Sequence, residues 1–265
     1  MSARDPRSVP RGDTRKLLRV AGLPAVAALF TAAPERVERL FFDARLKPEV
    51  GPFCAELARR RKPYREVDAE ELARLAGSVL HGGILALAQP RSVPAFDPAH
   101  AASWASDGQL LLLLDGIGNP HNLGAIVRTA AFFGVPRIVI SDRPEQAGPS
   151  DASYRVAEGG MEHVELYRAH NFAQALRSLR RSHCVIGAAA ENGKPVAAIS
   201  ASDRPFALVL GNEQQGLPRD TRRACDELVT IPGSGAVQSL NVAATAAILI
   251  YAFSTNKPPA PGTAS

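Results

Sequence analysis

The sequence predicts an α/β protein built as two consecutive units, and three observations carry that expectation. Short apolar strand-like runs alternate with segments of helical spacing from Thr14 almost to the end of the chain. In the second unit such alternation of apolar strands with helices implies a mostly parallel sheet covered on both faces. The pattern is interrupted once, at "PRSVPAFDPAHAASWASDG" (residues 90–108), which holds three prolines and no periodicity and reads as an interdomain linker. The 265 residues suffice for one large domain or two ordinary ones, and a hydrophobic share of 46% excludes a disordered protein.

Taken in order, residues 1–13 are rich in Arg, Pro and Ser and read as a disordered basic tail. The first unit, 14–89, opens with "TRKLLRVAGLPAVAALFTA", which has helical spacing with Thr14 as its cap. "VERLFFD" reads as a strand, "PEVGPFCAELARRR" as a helix, "PYREV" as a strand, "DAEELARLA" as a helix opened by Asp68, and "GGILALAQ" as the closing strand. The second unit, 109–255, begins with a leucine-rich strand that ends at Asp115, followed by a helix from about Asn122 to Phe133. "RIVIS", "HVELY", "HCVIGAA", "FALVLG" and "ELVTIP" supply further strands, and the last apolar stretch is a helix starting near Ser239. Residues 256–265, "NKPPAPGTAS", cannot bury enough apolar surface to fold and read as a second disordered tail. No repeat of fixed period occurs, which removes solenoids.

Composition narrows the function. Thirty-one Lys and Arg against 26 acids give a net charge of +5, which favours an anionic partner, nucleic acid above all. Cys54, Cys184 and Cys225 lie far apart without a CxxC pair, which argues for a reducing compartment and against a disulfide framework or a Cys-based metal site. The N-terminus lacks a signal-peptide core, and no uncharged apolar run reaches the roughly 20 residues that cross a bilayer. A cytoplasmic protein without membrane or metal is expected.

Sites in parallel sheets form beyond the carboxyl ends of the strands, and three such ends are unusual here. In "LLLLDGIGNPHNLGAIVRTAAFFG", Arg128 lies six residues past Asn122, on the second turn of the expected helix and aimed back at an N-terminus that favours anions. In "FALVLGNEQQGLPRD", Glu213 sits at the lip of a buried strand between Gly211 and Gly216, where the backbone is free to approach something flat. In "LVTIPGSGAVQSLNVAATAAILIYAF", the polar head Gln238, Ser239 and Asn241 precedes an apolar helix. Each segment alone also reads as ordinary structure, with Asn122 a helix cap, Glu213 a helix-start charge and Ser239 an N-cap. Asn241 just inside a helix is explained only if it has a partner. A dinucleotide fingerprint fails, because Gly116 and Gly118 are followed by His121 where the third glycine belongs.

Together, "NPHNLGAIVRTAAFFGV", "LVLGNEQQGLP" and "IPGSGAVQSLNVAATAAIL" resemble, in order, the three motifs of the SpoU (TrmH) family of S-adenosylmethionine-dependent RNA ribose 2′-O-methyltransferases. The resemblance implies a SPOUT α/β domain with a deep trefoil knot, although chains as a rule do not knot. It implies that Asn122, Arg128, Glu213, Ser239 and Asn241 are the catalytic set. It places S-adenosylmethionine against backbone groups of Gly211, Ile231 and Leu240, and it implies a homodimer whose second copy completes the cofactor pocket. Two positions depart from the pattern, Gly233 where many members have Met and Gln238 where many have Glu. The first unit, through "SVLHGGILALA", resembles the smaller L30e-like substrate-binding domain of ribosomal-RNA methylases in this family, with Arg59, Arg60, Arg61 and Lys62 as candidate phosphate contacts. A solvated helix end accounts for those four residues as well. The implied substrate is RNA, ribosomal in preference to transfer RNA. The competing reading is a catalytically inactive dimeric RNA-binding protein.

Overall fold

The computed structural model describes residues 17–255, so Thr14 and both expected tails, 1–13 and 256–265, lie outside the described residues. The first unit runs β1 (Leu18–Ala21), α1 (Leu23–Ala32), β2 (Val37–Phe42), α2 (Lys47–Arg59), β3 (Tyr64–Glu66), α3 (Ala69–Ala76) and β4 (Ile84–Ala88). Its four strands lie in the order β1-β4-β2-β3, with β4 antiparallel to both neighbours and β2 parallel to β3.

The opening segment is not one helix. Leu18 and Val20 are buried and Arg19 is exposed, a period of two that pairs β1 with β4. Gly22 then takes φ 95°, a left-handed value open to glycine, and α1 begins at Leu23 with Pro24 in its first turn. The short strand and the following helix share enough apolar residues to mimic one helical stripe. Asp68 does cap α3, accepting from Glu71 N at 2.7 Å.

Residues 90–108 are part of the packed structure. Phe96 N donates to Arg168 O at 2.7 Å, and Arg168 N donates to Pro94 O at 2.9 Å. Helix α4 (Pro98–Trp104), capped by Asp97, buries Ala101 and Trp104. The three prolines stop a regular strand or helix only up to Pro98, the first residue of α4.

The second unit continues with β5 (Leu111–Asp115), α5 (Pro120–Phe132), β6 (Arg137–Ser141), α6 (Asp151–Ala157), α7 (Gly160–His163), β7 (Glu165–Ala169) and α8 (Phe172–Leu179). It ends with β8 (Cys184–Ala188), β9 (Lys194–Pro195), β10 (Phe206–Gly211), α9 (Arg219–Ala224), β11 (Glu227–Thr230) and α10 (Val242–Thr255). Seven parallel strands lie in the order β7-β6-β5-β10-β8-β11-β9. Both faces are covered. Leu112, Leu114, Ile138, Ile140, Leu208 and Leu210 face the core shared with α5, α6 and α10, whereas Leu111, Leu113, Val139 and Val209 face Trp104, Phe172 and Leu176 of α4 and α8. The leucine run of β5 is apolar at every position because both its sides are buried.

Strand order reverses between β5 and β10, since β5 leads outward to β6 and β7 while β8 and β11 lie on the other side. This is the crevice where open parallel sheets bind ligands. The first unit docks against α6 and α7. Arg36 Nη1 pairs with Glu162 at 2.8 Å with side chains only 13% and 4% exposed, and Arg91 Nη1 donates to Met161 O and Val164 O. Among the described residues no helix is long and apolar enough to cross a membrane.

Candidate active site

The loop from β5 to α5 is held at its root by buried polar side chains. Asp115 accepts from Arg143 Nε and from Thr221 Oγ1, each at 2.6 Å. Gln146 Oε1 accepts from Gly116 N and Ile117 N, while its Nε2 donates to Ile117 O and Ala147 O. The peptide groups of a buried turn thereby find partners that no regular element supplies.

Asn119 caps α5, accepting from His121 N at 2.8 Å, and Pro120 occupies the first helical position. Asn122 is therefore inside the helix and its side chain is free of capping duty. Its Nδ2 donates to Glu213 Oε1, and its Oδ1 accepts from Asn241 Nδ2 at 3.2 Å. Asn241, in turn, caps α10: its Oδ1 accepts from Ala243 N at 2.8 Å and its carbonyl from Thr245 N at 2.9 Å. The helix starts at Val242, so Ser239 is not its cap but an exposed residue of the preceding loop. Asn241 is the better cap because its short amide also reaches Asn122, which answers the partner question raised by its position.

The orientation of each amide follows from the chemistry. A carboxylate only accepts, so Asn122 must turn its NH2 to Glu213; its oxygen then meets the NH2 of Asn241, which leaves the Asn241 oxygen for the helix. Glu213, Asn122 and Asn241 come from three segments separated by 91 and 119 residues along the chain. They meet over the reversal point between β5 and β10.

Arg128 is placed elsewhere. Counting from Pro120 it stands on the third turn of α5, and six residues at 100° each set it about 120° around the helix from Asn122. Its guanidinium does not turn back to the helix start but pairs with Glu158 at 2.8 Å, both side chains about half exposed. Glu158 ends α6 at φ 45°. Sequence gives no sign of this partner, because nothing local links the two residues.

Of the expected cofactor positions, Gly211 closes β10 and faces Gly216: a Cβ there would lie 2.5 Å from the Gly216 carbonyl. The tight 211–217 turn alone demands that glycine. Ile231 is half-buried just past β11, and residues 232–241 form an exposed stretch outside regular structure in which Leu240 is 44% exposed. Exposed main chain beside the apolar Leu240 and Val237 fits a flat, hydrogen-bonding heterocycle such as adenine. Of the basic cluster, Arg59 and Arg60 pair with Glu56 and Lys62 pairs with Glu38, while Arg61 adopts φ 55°. No group of metal-ligating side chains occurs among the described residues.

Comparison with known proteins gives the family and the fold. A model described as the SpoU rRNA methylase family matches residues 109–251, and one described as RNA 2′-O ribose methyltransferase substrate binding matches residues 19–94. The chain is 35% identical over 234 residues to a 23S rRNA (guanosine-2′-O-)-methyltransferase RlmB of Bordetella pertussis, covering 88% of this chain and 94% of that one. It is 34% identical over 233 residues to an Escherichia coli O157:H7 protein named as the uncharacterized tRNA/rRNA methyltransferase YfiF, of whose length it spans 66%. The fold matches an AdoMet-bound rRNA methyltransferase from Sinorhizobium meliloti with TM-score 0.73 at 22% identity, covering 89% of this chain and 86% of that one. It also matches the SpoU methyltransferase AviRb from Streptomyces viridochromogenes with TM-score 0.68 at 22% identity, over 91% and 90% of the two chains.

Proposed function

The chain belongs to the SpoU rRNA methylase family, and from that premise we propose that it methylates a ribose 2′-hydroxyl of structured RNA, ribosomal RNA in the first place, using S-adenosylmethionine. The observation that carries the reading is the Glu213–Asn122–Asn241 chain of hydrogen bonds at the strand-order reversal. A protein that only bound RNA has no need of three polar side chains from distant segments locked in one orientation.

S-adenosylmethionine, when bound, supplies a methyl group on a sulfonium. The main chain of the loops that start at Gly211 and Ile231, together with Leu240, would hold it. The residues of the protein then align the acceptor, whose oxygen takes the methyl while its proton passes to water. Asn122 is fixed by Glu213 and Asn241, and with the Ser239 hydroxyl it holds the ribose in line, an arrangement able to supply on the order of 7–11 kcal/mol of the barrier. Arg128 grips the target phosphate and stabilises the alkoxide that develops as the hydroxyl proton leaves. A guanidinium keeps its proton throughout the range where proteins stay folded, which makes it a clamp rather than a base. The phosphate takes the place of Glu158, an exposed partner whose pairing is worth only about 0–1 kcal/mol.

Arg128 and Asn122 of one chain face different sides of α5, so a second copy brings them into one site. The α5–α10 surface suits that homodimer: Phe132 is 82% exposed, Tyr251 58% and Ile248 40%, with Phe133 packed between the Phe132 and Tyr251 rings. The knot is supported by the path of the chain. After β11, on the far side of β8 from β10, residues 231–241 return so that α10 packs on α5 and β10. The first unit, residues 14–89, serves as the L30e-like RNA-binding domain, and the protein works in the cytoplasm.

Calorimetric titration with S-adenosylmethionine and S-adenosylhomocysteine tests the reading first. Micromolar binding, followed by new 2′-O-methyl marks in total RNA, is the expected result. No binding to folded, dimeric protein would leave an RNA-binding dimer as the better description. Arg128→Lys tests the clamp: loss of transfer supports it, whereas activity retained at raised pH supports a base.

A further inference from the structure

We infer that Asn212, the residue before Glu213, is a positioning residue for the methyl-transfer site: its side chain sets the Glu213–Asn122 contact by tying together the two loops that carry them. The inference rests on the function proposed above only in its activity readout.

The Asn212 amide uses both its ends. Oδ1 accepts from Gln214 N at 2.9 Å and from Gln215 N at 3.1 Å, which bends the main chain around Glu213. Nδ2 donates to Gly116 O at 2.9 Å, across 96 residues of sequence. The turn is closed by Gly216 N donating to Asn212 O at 2.8 Å, and the main chain of Gly216 fills the space beside Gly211. The far end is equally fixed, because Gly116 N and Ile117 N are both bound by the buried Gln146. Gly116 stands three residues before the cap of α5, and Asn122 stands three residues after that cap. Asn212 therefore joins a rigid turn bearing Glu213 to a rigid loop feeding Asn122, and it is itself only half-buried beside them. Beyond the paired strand ends Asp115 and Gly211, the Asn212 donor is the tie that backs the Glu213–Asn122 bond.

Asn212→Asp is the selective variant. A carboxylate keeps the acceptor that shapes the turn but replaces the donor to Gly116 O by a repelling oxygen. The expected result is a fall in kcat of about 10- to 100-fold, as small misplacements of reacting groups produce, with KM for S-adenosylmethionine and RNA held within about twofold. In a Glu213→Gln background the same substitution should add little, since it acts through Glu213. A second readout is independent of catalysis: the side-chain NH2 signals of Asn122, followed by NMR in the full-length protein, should move in Asn212→Asp toward their positions in Glu213→Gln.

Unchanged kcat with unmoved Asn122 signals overturns the inference, and so do losses that multiply in the double variant. If Asn212→Asp does not fold, Asn212→Ser, whose hydroxyl still accepts from the turn, takes the same tests with the same outcomes. A wild-type protein without transferase activity would refute the proposed reaction, while the Asn122 signals would still decide the role of Asn212.

Discussion

Gly124, one turn into α5, decides how closely that helix approaches α6. A Cβ added there would lie 2.6 Å from Ser153 O, 2.9 Å from Val156 Cβ and 3.1 Å from Ser153 Cα. Ordinary contact lies near ~3.5 Å, and the nearest obstacle is a main-chain oxygen that cannot rotate away. In Gly124→Ala the two helices must part by close to an ångström. Overpacking of this kind costs about 1–3 kcal/mol, and the better helix propensity of alanine returns about 1 kcal/mol. The net loss is up to about 2 kcal/mol, read as a lower urea midpoint at unchanged slope. Gly51 is the control: it lies in α2 with nothing within 4 Å of its added Cβ. Gly51→Ala should gain up to about 1 kcal/mol, because only propensity changes. Because α5 also carries Asn122, Gly124→Ala should lower kcat more than KM rises. If Gly124→Ala follows Gly51→Ala upward, the close α5–α6 contact described above is wrong.

Other consequences follow from named groups. Burial pushes the His183 imidazole down to about 4, helped by the Arg204 charge; the unfolded chain thus binds the extra proton between pH 6.5 and 4, and stability present above 6.5 falls by about 3 kcal/mol as pH drops through that window. Thermal melts of wild type and His183→Asn at pH 7 and 4.5 should show a shallower pH dependence in the variant. Arg36→Ala leaves Glu162, 4% exposed, without its cation and should cost about 3–5 kcal/mol in urea unfolding; a loss below 1 kcal/mol would mean that the pair is not closed in solution. Phe132→Glu places a charge on the exposed α5–α10 face and should turn the proposed dimer into a folded monomer in sedimentation, whereas a dimer left unchanged would move the interface elsewhere.

The amino-acid pattern by itself determined the two α/β units, most strand and helix positions and the three loops that hold polar residues at strand ends. Periodicity records which side of a segment is buried, and glycine, proline and capping residues record local backbone demands; both are properties of neighbours in sequence. Where two short elements shared one apolar stripe, as at Leu18–Ala32, or where proline hid a short helix, as at Pro98–Trp104, local pattern misled.

Only the tertiary structure decided what the polar residues do. It moved the cap of α5 from Asn122 to Asn119 and the cap of α10 from Ser239 to Asn241, which released Asn122 to join Glu213 with Asn241. It gave Arg128 the partner Glu158 and gave Asn212 its bond to Gly116 O. A side chain has only a few hydrogen-bonding positions, and which of them remain free for chemistry depends on what the fold brings within about 3 Å. Those partners lie up to 119 residues away, a distance at which neighbouring letters carry no trace of them.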